Sequence, residues 1–217
     1  VQSDLKDWLT DPHDLLKVFK GLACTGFALQ LYGDSRPCSG AEHLFSHVLD
    51  MDDHLSNGEP VSHGFQVAVG TVITTRLLEY VMNHTSAQIQ AMARPLETRA
   101  EREKNIDLLL ENRHYGNTRE VAMKKFLEGE AAAARRADIY RKWDSWKPMI
   151  AAQIIPSHEV IRRLRQASCP VFPMDIGLDE TGFRHTLKSA QLIRKRYTIT
   201  DLLYEAGVFE DAIDSIA

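Results

Sequence analysis

His43 and His47 lie four residues apart in Ser35-Arg36-Pro37-Cys38-Ser39-Gly40-Ala41-Glu42-His43-Leu44-Phe45-Ser46-His47, and His63 follows in His63-Gly64-Phe65-Gln66-Val67. That i,i+4 spacing sets two imidazoles on one helix face, and a third, brought back by a chain reversal, can close on the same point. Three imidazoles around a divalent metal with one open position would polarise a carbonyl or alkoxide oxygen. Spacing alone names no carboxylate ligand, and a histidine beside an apolar helix also serves as a hydrogen-bonded structural residue. Both readings stand at this point.

The elements that must position these residues have a helical period almost throughout. Asp11-Pro12 predicts a helix start, and the apolar run Leu15 to Leu31, closed by Gly33, predicts a buried helix. Ser39-Gly40-Ala41-Glu42 has the form of a capping box, which places His43 and His47 in the first two turns of the next helix. Asn57-Gly58-Glu59-Pro60 predicts a turn, and a third helix is expected from Ser62 to Asn83. Solvated helices are expected over Glu97 to Arg113 and Thr118 to about Ser145, with shorter ones over Lys147 to Ala167, Asp179 to Arg194 and Thr200 to Ile213. No alternating strand pattern occurs, so the expected fold class is all-α.

The 217 residues are 44% hydrophobic and 26% charged, the composition of a globular chain with room for one core. A net charge of -4 argues against nucleic-acid binding, which needs a basic surface. The apolar stretches Gly21–Leu31 and Val67–Thr74 are too short to span a bilayer, and the N-terminus has no signal pattern. Cys24, Cys38 and Cys169 are isolated from one another, which points to a reducing, cytoplasmic compartment. Cys24 and Cys169 are expected as buried small residues, with Cys38 near the histidines. Trp143 and Trp146 read as a packing pair, His54 as a solvated loop histidine, and His13, His84, His114, His158 and His185 as structural or exposed. Gly-x-Gly-x-x-Gly is absent.

Two stretches resemble one family. Ser-Arg-Pro-x-Ser-Gly-x-Glu-His-Leu-Phe-Ser-His from Ser35, followed by His-Gly-x-Gln-Val-x-Val-Gly-Thr from His63, is similar to the sn-glycerol-1-phosphate dehydrogenases of the iron-containing alcohol dehydrogenase and dehydroquinate synthase-like superfamily. Ile193-Arg194-Lys195-Arg196-Tyr197-Thr198 resembles the family's Ile-Arg-x-Arg-Tyr-Thr pattern, while Glu79 to Ile155 matches only as generic helix.

The resemblance implies metal ligation by His43 and His63, with zinc or nickel as the ion, and makes His47 a catalytic, substrate-contacting residue rather than a third ligand. It implies reduction of dihydroxyacetone phosphate to glycerol 1-phosphate with NAD(P)H, and a homo-oligomer. The fold expected for residues 1–217 is the helical C-terminal domain, carrying metal and substrate sites. The family's α/β nucleotide-binding domain, which would hold most of the NAD(P), is missing from this sequence, so the chain reads as part of a longer protein and as inactive alone. Phe65 departs from the family, which has Glu after His-Gly. Arg36 and Lys195 are left without a role. The alternatives are a non-catalytic metal-binding or assembly module and a related polyol dehydrogenase.

Overall fold

The computed structural model describes residues 15–111, 113 and 115–217; the helix start expected at Asp11-Pro12, and His13 and His114, lie outside them. Among the described residues are eleven α-helices and one two-stranded hairpin, an all-α architecture. The helices are α1 (Leu15–Tyr32), α2 (Ala41–Met51), α3 (His63–Asn83), α4 (Ser86–Met92), α5 (Arg99–Leu109) and α6 (Thr118–Lys125). They continue as α7 (Gly129–Ala151), α8 (Ser157–Gln166), α9 (Glu180–Leu192), α10 (Ile199–Ala206) and α11 (Phe209–Asp214). None of them is long and apolar enough to cross a membrane.

The core forms around α3. Val69, Ile73, Leu77 and Val81 recur at helical spacing and are almost wholly buried against Phe45 and Leu49 of α2, Ile139 and Trp143 of α7, Leu187 of α9 and Leu203 of α10. Trp143 is fully enclosed, and its indole N–H donates to the His84 carbonyl at 2.9 Å, so the large ring is buried without an unpaired polar group. Trp146 packs at the edge of the same core.

Local signals account for the helix ends. The Ser62 hydroxyl accepts from the Phe65 N–H at the start of α3, and Asp179 accepts from the Gly182 N–H before α9. At the expected turn, Asn57 and Gly58 both take positive φ, 54° and 83°, and join β1 (Leu55–Ser56) to β2 (Glu59–Pro60). This short hairpin reverses the chain between α2 and α3.

Several expectations need correction. The segment after Thr118 is two helices, broken over Phe126–Glu128 where Gly129 turns at φ 58°, and the second runs through Pro148 to Ala151. The stretch after Thr200 divides at Gly207, whose φ of 82° ends α10. Ser39 does not cap α2: Gly40 occupies the cap position, and its N–H donates to the Glu42 carboxylate at 2.7 Å. The largest correction is α1. It is apolar yet exposed, with Phe19 68%, Leu22 67% and Leu31 90% accessible, because among the described residues its main packing is against the 3-10 turn Arg36–Cys38. Apolar composition predicts that a face is to be covered, not that the same chain covers it; such a surface marks a contact site.

Candidate functional site

The site begins with the close crossing of α2 and α3. A Cβ at Gly70 would lie 2.6 Å from the Glu42 carbonyl oxygen and 3.0 Å from its Cα, so only glycine lets α3 approach the first turn of α2 this closely. With the hairpin reversing the chain, the crossing brings the His63 ring to within 5.4 Å of His43 and 6.3 Å of His47, centroid to centroid. The three histidines predicted from spacing are therefore neighbours in space.

Hydrogen bonds assign the tautomers. His43 Nδ1 lies 2.9 Å from Glu42 Oε1, an acceptor only, so Nδ1 carries the proton. For His63 the chain of bonds is longer. Gln66 Nε2 donates to the Val61 carbonyl at 3.1 Å, which turns Oε1 toward Ser46; the Ser46 hydroxyl donates to that oxygen at 2.6 Å and has no second proton. It must therefore accept from His63 Nδ1, 2.9 Å away. In the neutral form of each ring Nε2 is then the nitrogen without a proton, the one a metal can take, and each Nδ1–H is held by an acceptor, the arrangement that orients metal-bound histidines. Ser46 is fully buried and Gln66 nearly so, which makes the anchor rigid.

His47 differs. Its Nδ1 is 4.0 Å from Asp50 Oδ2, too long for a hydrogen bond. Partial burial lowers its pKa first, the positive charge of Arg194 lowers it further, and Asp50 opposes both, so the ring is neutral at neutral pH. Arg194 is exposed and makes no hydrogen bond or ion pair among the described residues. The side chains of His47, Asp50 and His63 are between 37% and 52% accessible, and the site opens to the surface. Asp50 Oδ2 is also 3.9 Å from His63 Nδ1. Among the described residues no group of three or more His, Cys, Asp or Glu side chains is arranged to hold a metal. Two oriented imidazoles fit a divalent ion that takes its remaining ligands elsewhere.

The second family-like motif reaches the first. Arg196 donates from Nη1 to the Ser39 carbonyl and from Nη2 to the Ser35 hydroxyl at 3.1 Å, clamping the loop before α2 from 161 residues away. Sequence reasoning missed this clamp and the roles of Glu42, Ser46, Gln66, Gly70 and Arg194. Ser46 and Gln66 each stand three residues after a predicted ligand, on the same helix face, which is the signal that would have found them.

Other expectations change. His54 is not a solvated loop residue: Nε2 lies 2.6 Å from the Ile176 carbonyl. Cys24 is exposed on α1, not buried, Cys169 is only half-buried, and Cys38 Sγ faces the Thr25 carbonyl at 3.8 Å rather than the histidines. Phe65, where the resemblance has Glu, is 44% accessible.

The chain is 49% identical over 71 residues to the glycerol-1-phosphate dehydrogenase [NAD(P)+] of Archaeoglobus fulgidus, a match covering 33% of this chain and 19% of that protein. It is 46% identical over 69 residues to the enzyme of the same name from Thermococcus kodakarensis, covering 32% and 18%. The Pyrococcus horikoshii enzyme is 49% identical over 69 residues, covering 32% and 19%. The matched part of the chain thus spans about a fifth of the length of these curated relatives. No family model and no solved structure matches. Over about a third of its length, the chain is similar to archaeal glycerol-1-phosphate dehydrogenases.

Proposed function

We propose that this helical chain is the metal- and substrate-binding part of an NAD(P)-linked sn-glycerol-1-phosphate dehydrogenase, which reduces dihydroxyacetone phosphate to glycerol 1-phosphate. The observation that carries the reading is the pair of imidazoles with pinned Nδ1–H groups and free Nε2 atoms, in a chain related to archaeal enzymes of that name. His43 and His63 would hold zinc or nickel, since imidazole suits both. When bound, the ion supplies Lewis acidity at the C2 oxygen of the substrate.

The chain's own residues supply the rest. Neutral His47, beside His63 at the open edge of the site, can hydrogen-bond a substrate hydroxyl or pass a proton to it. Arg194, uncommitted to any carboxylate among the described residues, is the charge suited to the substrate phosphate, with Lys195 beside it. Glu42, Ser46 and Gln66 hold the two ligand rings in place. The chain lacks a glycine-rich phosphate loop, and most of the NAD(P) contact is assigned to sequence outside these residues. Self-association as a homo-oligomer and a cytoplasmic location belong to the same reading.

The test uses the natural gene product, stripped by chelator and reloaded with zinc or nickel, in assays of NADH and NADPH oxidation by dihydroxyacetone phosphate. Metal-dependent turnover, with His47→Ala cutting kcat and Arg194→Ala raising KM, supports the reading. Turnover without metal, or none with either metal, contradicts it.

A further inference from the structure

Glu42 and His43 are neighbours in the first turn of α2, and side chains one residue apart on a helix do not face each other. Yet Glu42 Oε1 lies 2.9 Å from His43 Nδ1. The contact exists because the Glu42 side chain folds back over the helix end, where the same Oε1 accepts from the Gly40 N–H at 2.7 Å. One carboxylate oxygen therefore holds both the entrance to α2 and the ring of His43. Gly40 leaves room for this, since a Cβ there would lie 2.6 Å from Glu42 Oε2.

The Gly40 N–H belongs to the Ser39–Gly40 peptide, and the oxygen of that same peptide is the Ser39 carbonyl, which accepts from Arg196 Nη1. The peptide is trans and planar, so fixing its oxygen fixes the direction of its N–H. A cation on the carbonyl also polarises the unit and strengthens the N–H as a donor. Arg196 is itself held, with Nη2 donating to the Ser35 hydroxyl at 3.1 Å and lying 4.0 Å from Asp34 Oδ1. The side chains of Arg196, Glu42 and His43 are only 20%, 22% and 26% accessible, which limits the competition from water for these bonds.

We propose that Arg196 is a positioning residue for His43, acting across the Ser39–Gly40 peptide and the Glu42 carboxylate to keep the proton of the neutral ring on Nδ1 and leave Nε2 open. The two family-like stretches are connected by this relay: the basic run before α10 acts on His43 without touching it. His63 is anchored separately, by Ser46 and Gln66, and serves as an internal control. That His43 is a metal ligand rests on the proposed function; the orientation of its ring does not.

NMR of the imidazole nitrogens in the metal-free 217-residue chain, at about pH 8.5 and so well above the ordinary histidine range, reads the tautomer of each ring. Expected is a His43 ring protonated at Nδ1 in the wild type. In Arg196→Ala its population should move toward the Nε2–H tautomer, with His63 unchanged. Gly40→Ala displaces the Glu42 carboxylate and leaves the Arg196 clamp in place, and it should move His43 in the same way. Zinc affinity, read by competitive chelator titration, should fall about 10- to 100-fold in both variants. A His43 ring protonated at Nε2 in the wild type, a His43 ring unmoved in either variant, or equal shifts at His43 and His63 overturns the proposal. A wild type that binds no zinc contradicts the proposed function instead, and the tautomer shift then still supports the relay.

Discussion

The Ser46 hydroxyl stands between two partners, accepting from His63 Nδ1 at 2.9 Å and donating to Gln66 Oε1 at 2.6 Å, and so decides which nitrogen of His63 is free. In Ser46→Ala the ring loses its anchor and its tautomer preference, while the smaller side chain fits the same buried space. Zinc affinity should fall about 10- to 100-fold, as is usual when the group orienting a metal-bound histidine is lost. The unpaired Gln66 oxygen should cost about 1–3 kcal/mol of stability. A competitive chelator titration reads the first effect, and urea unfolding the second.

Gly70 is the contact on which the histidine geometry rests. Gly70→Ala places a methyl 2.6 Å from the Glu42 carbonyl oxygen, against backbone that cannot swing aside. The expected loss is about 1–3 kcal/mol from overpacking, with weaker metal binding as His43 and His63 are moved apart. Gly26, on the exposed α1, has nothing within 4 Å of its would-be Cβ, so Gly26→Ala should stabilise the helix by about 1 kcal/mol. Denaturation midpoints of the two variants should move in opposite directions.

Where the local chain carries its own signal, the sequence was readable. Ser62 capping α3 and Asn57-Gly58 reversing the chain follow from short-range chemistry. What it concealed depends on contacts made across the fold. Ser46 reads as a small residue on a buried face until Gln66 is seen to accept its hydrogen bond. Arg194 and Arg196 are one basic run in sequence, yet one faces His47 and the other holds Ser39. Alpha-helix α1 misled because hydropathy records the need for a partner and not the partner's location.

His185 gives the protein an acid-sensitive point. Burial lowers its pKa below 6.5, Arg113 pushes the same way, and Asp52 at 4.0 Å opposes them; the Tyr115 hydroxyl at 3.3 Å and the Ser189 hydroxyl at 3.2 Å complete its surroundings. Between its folded pKa and 6.5 the unfolded chain binds the extra proton, so stability declines as pH falls through 6.5 and levels off below the folded value. His47 contributes in the same direction. Urea midpoints measured from about pH 7.5 down to about pH 5 should decline less steeply in His185→Gln than in the wild type.

The Arg196 clamp makes a local prediction. Arg196→Ala frees the Ser39 carbonyl and the Ser35 hydroxyl, loosening the loop that leads into α2. Amide exchange should accelerate over residues 35–42 while the α3 core keeps its protection. Equal acceleration in both would mean that Arg196 supports the whole fold instead.

X-ray absorption at the zinc edge of the zinc-loaded chain is the most direct test of whether His43 and His63 are ligands. One zinc per chain with two imidazole nitrogens at about 2.0–2.1 Å, lost in His43→Ala and in His63→Ala but kept in His47→Ala, is the predicted result. Stoichiometric zinc without imidazole scattering, or zinc retained unchanged when both His43 and His63 are replaced, would contradict it.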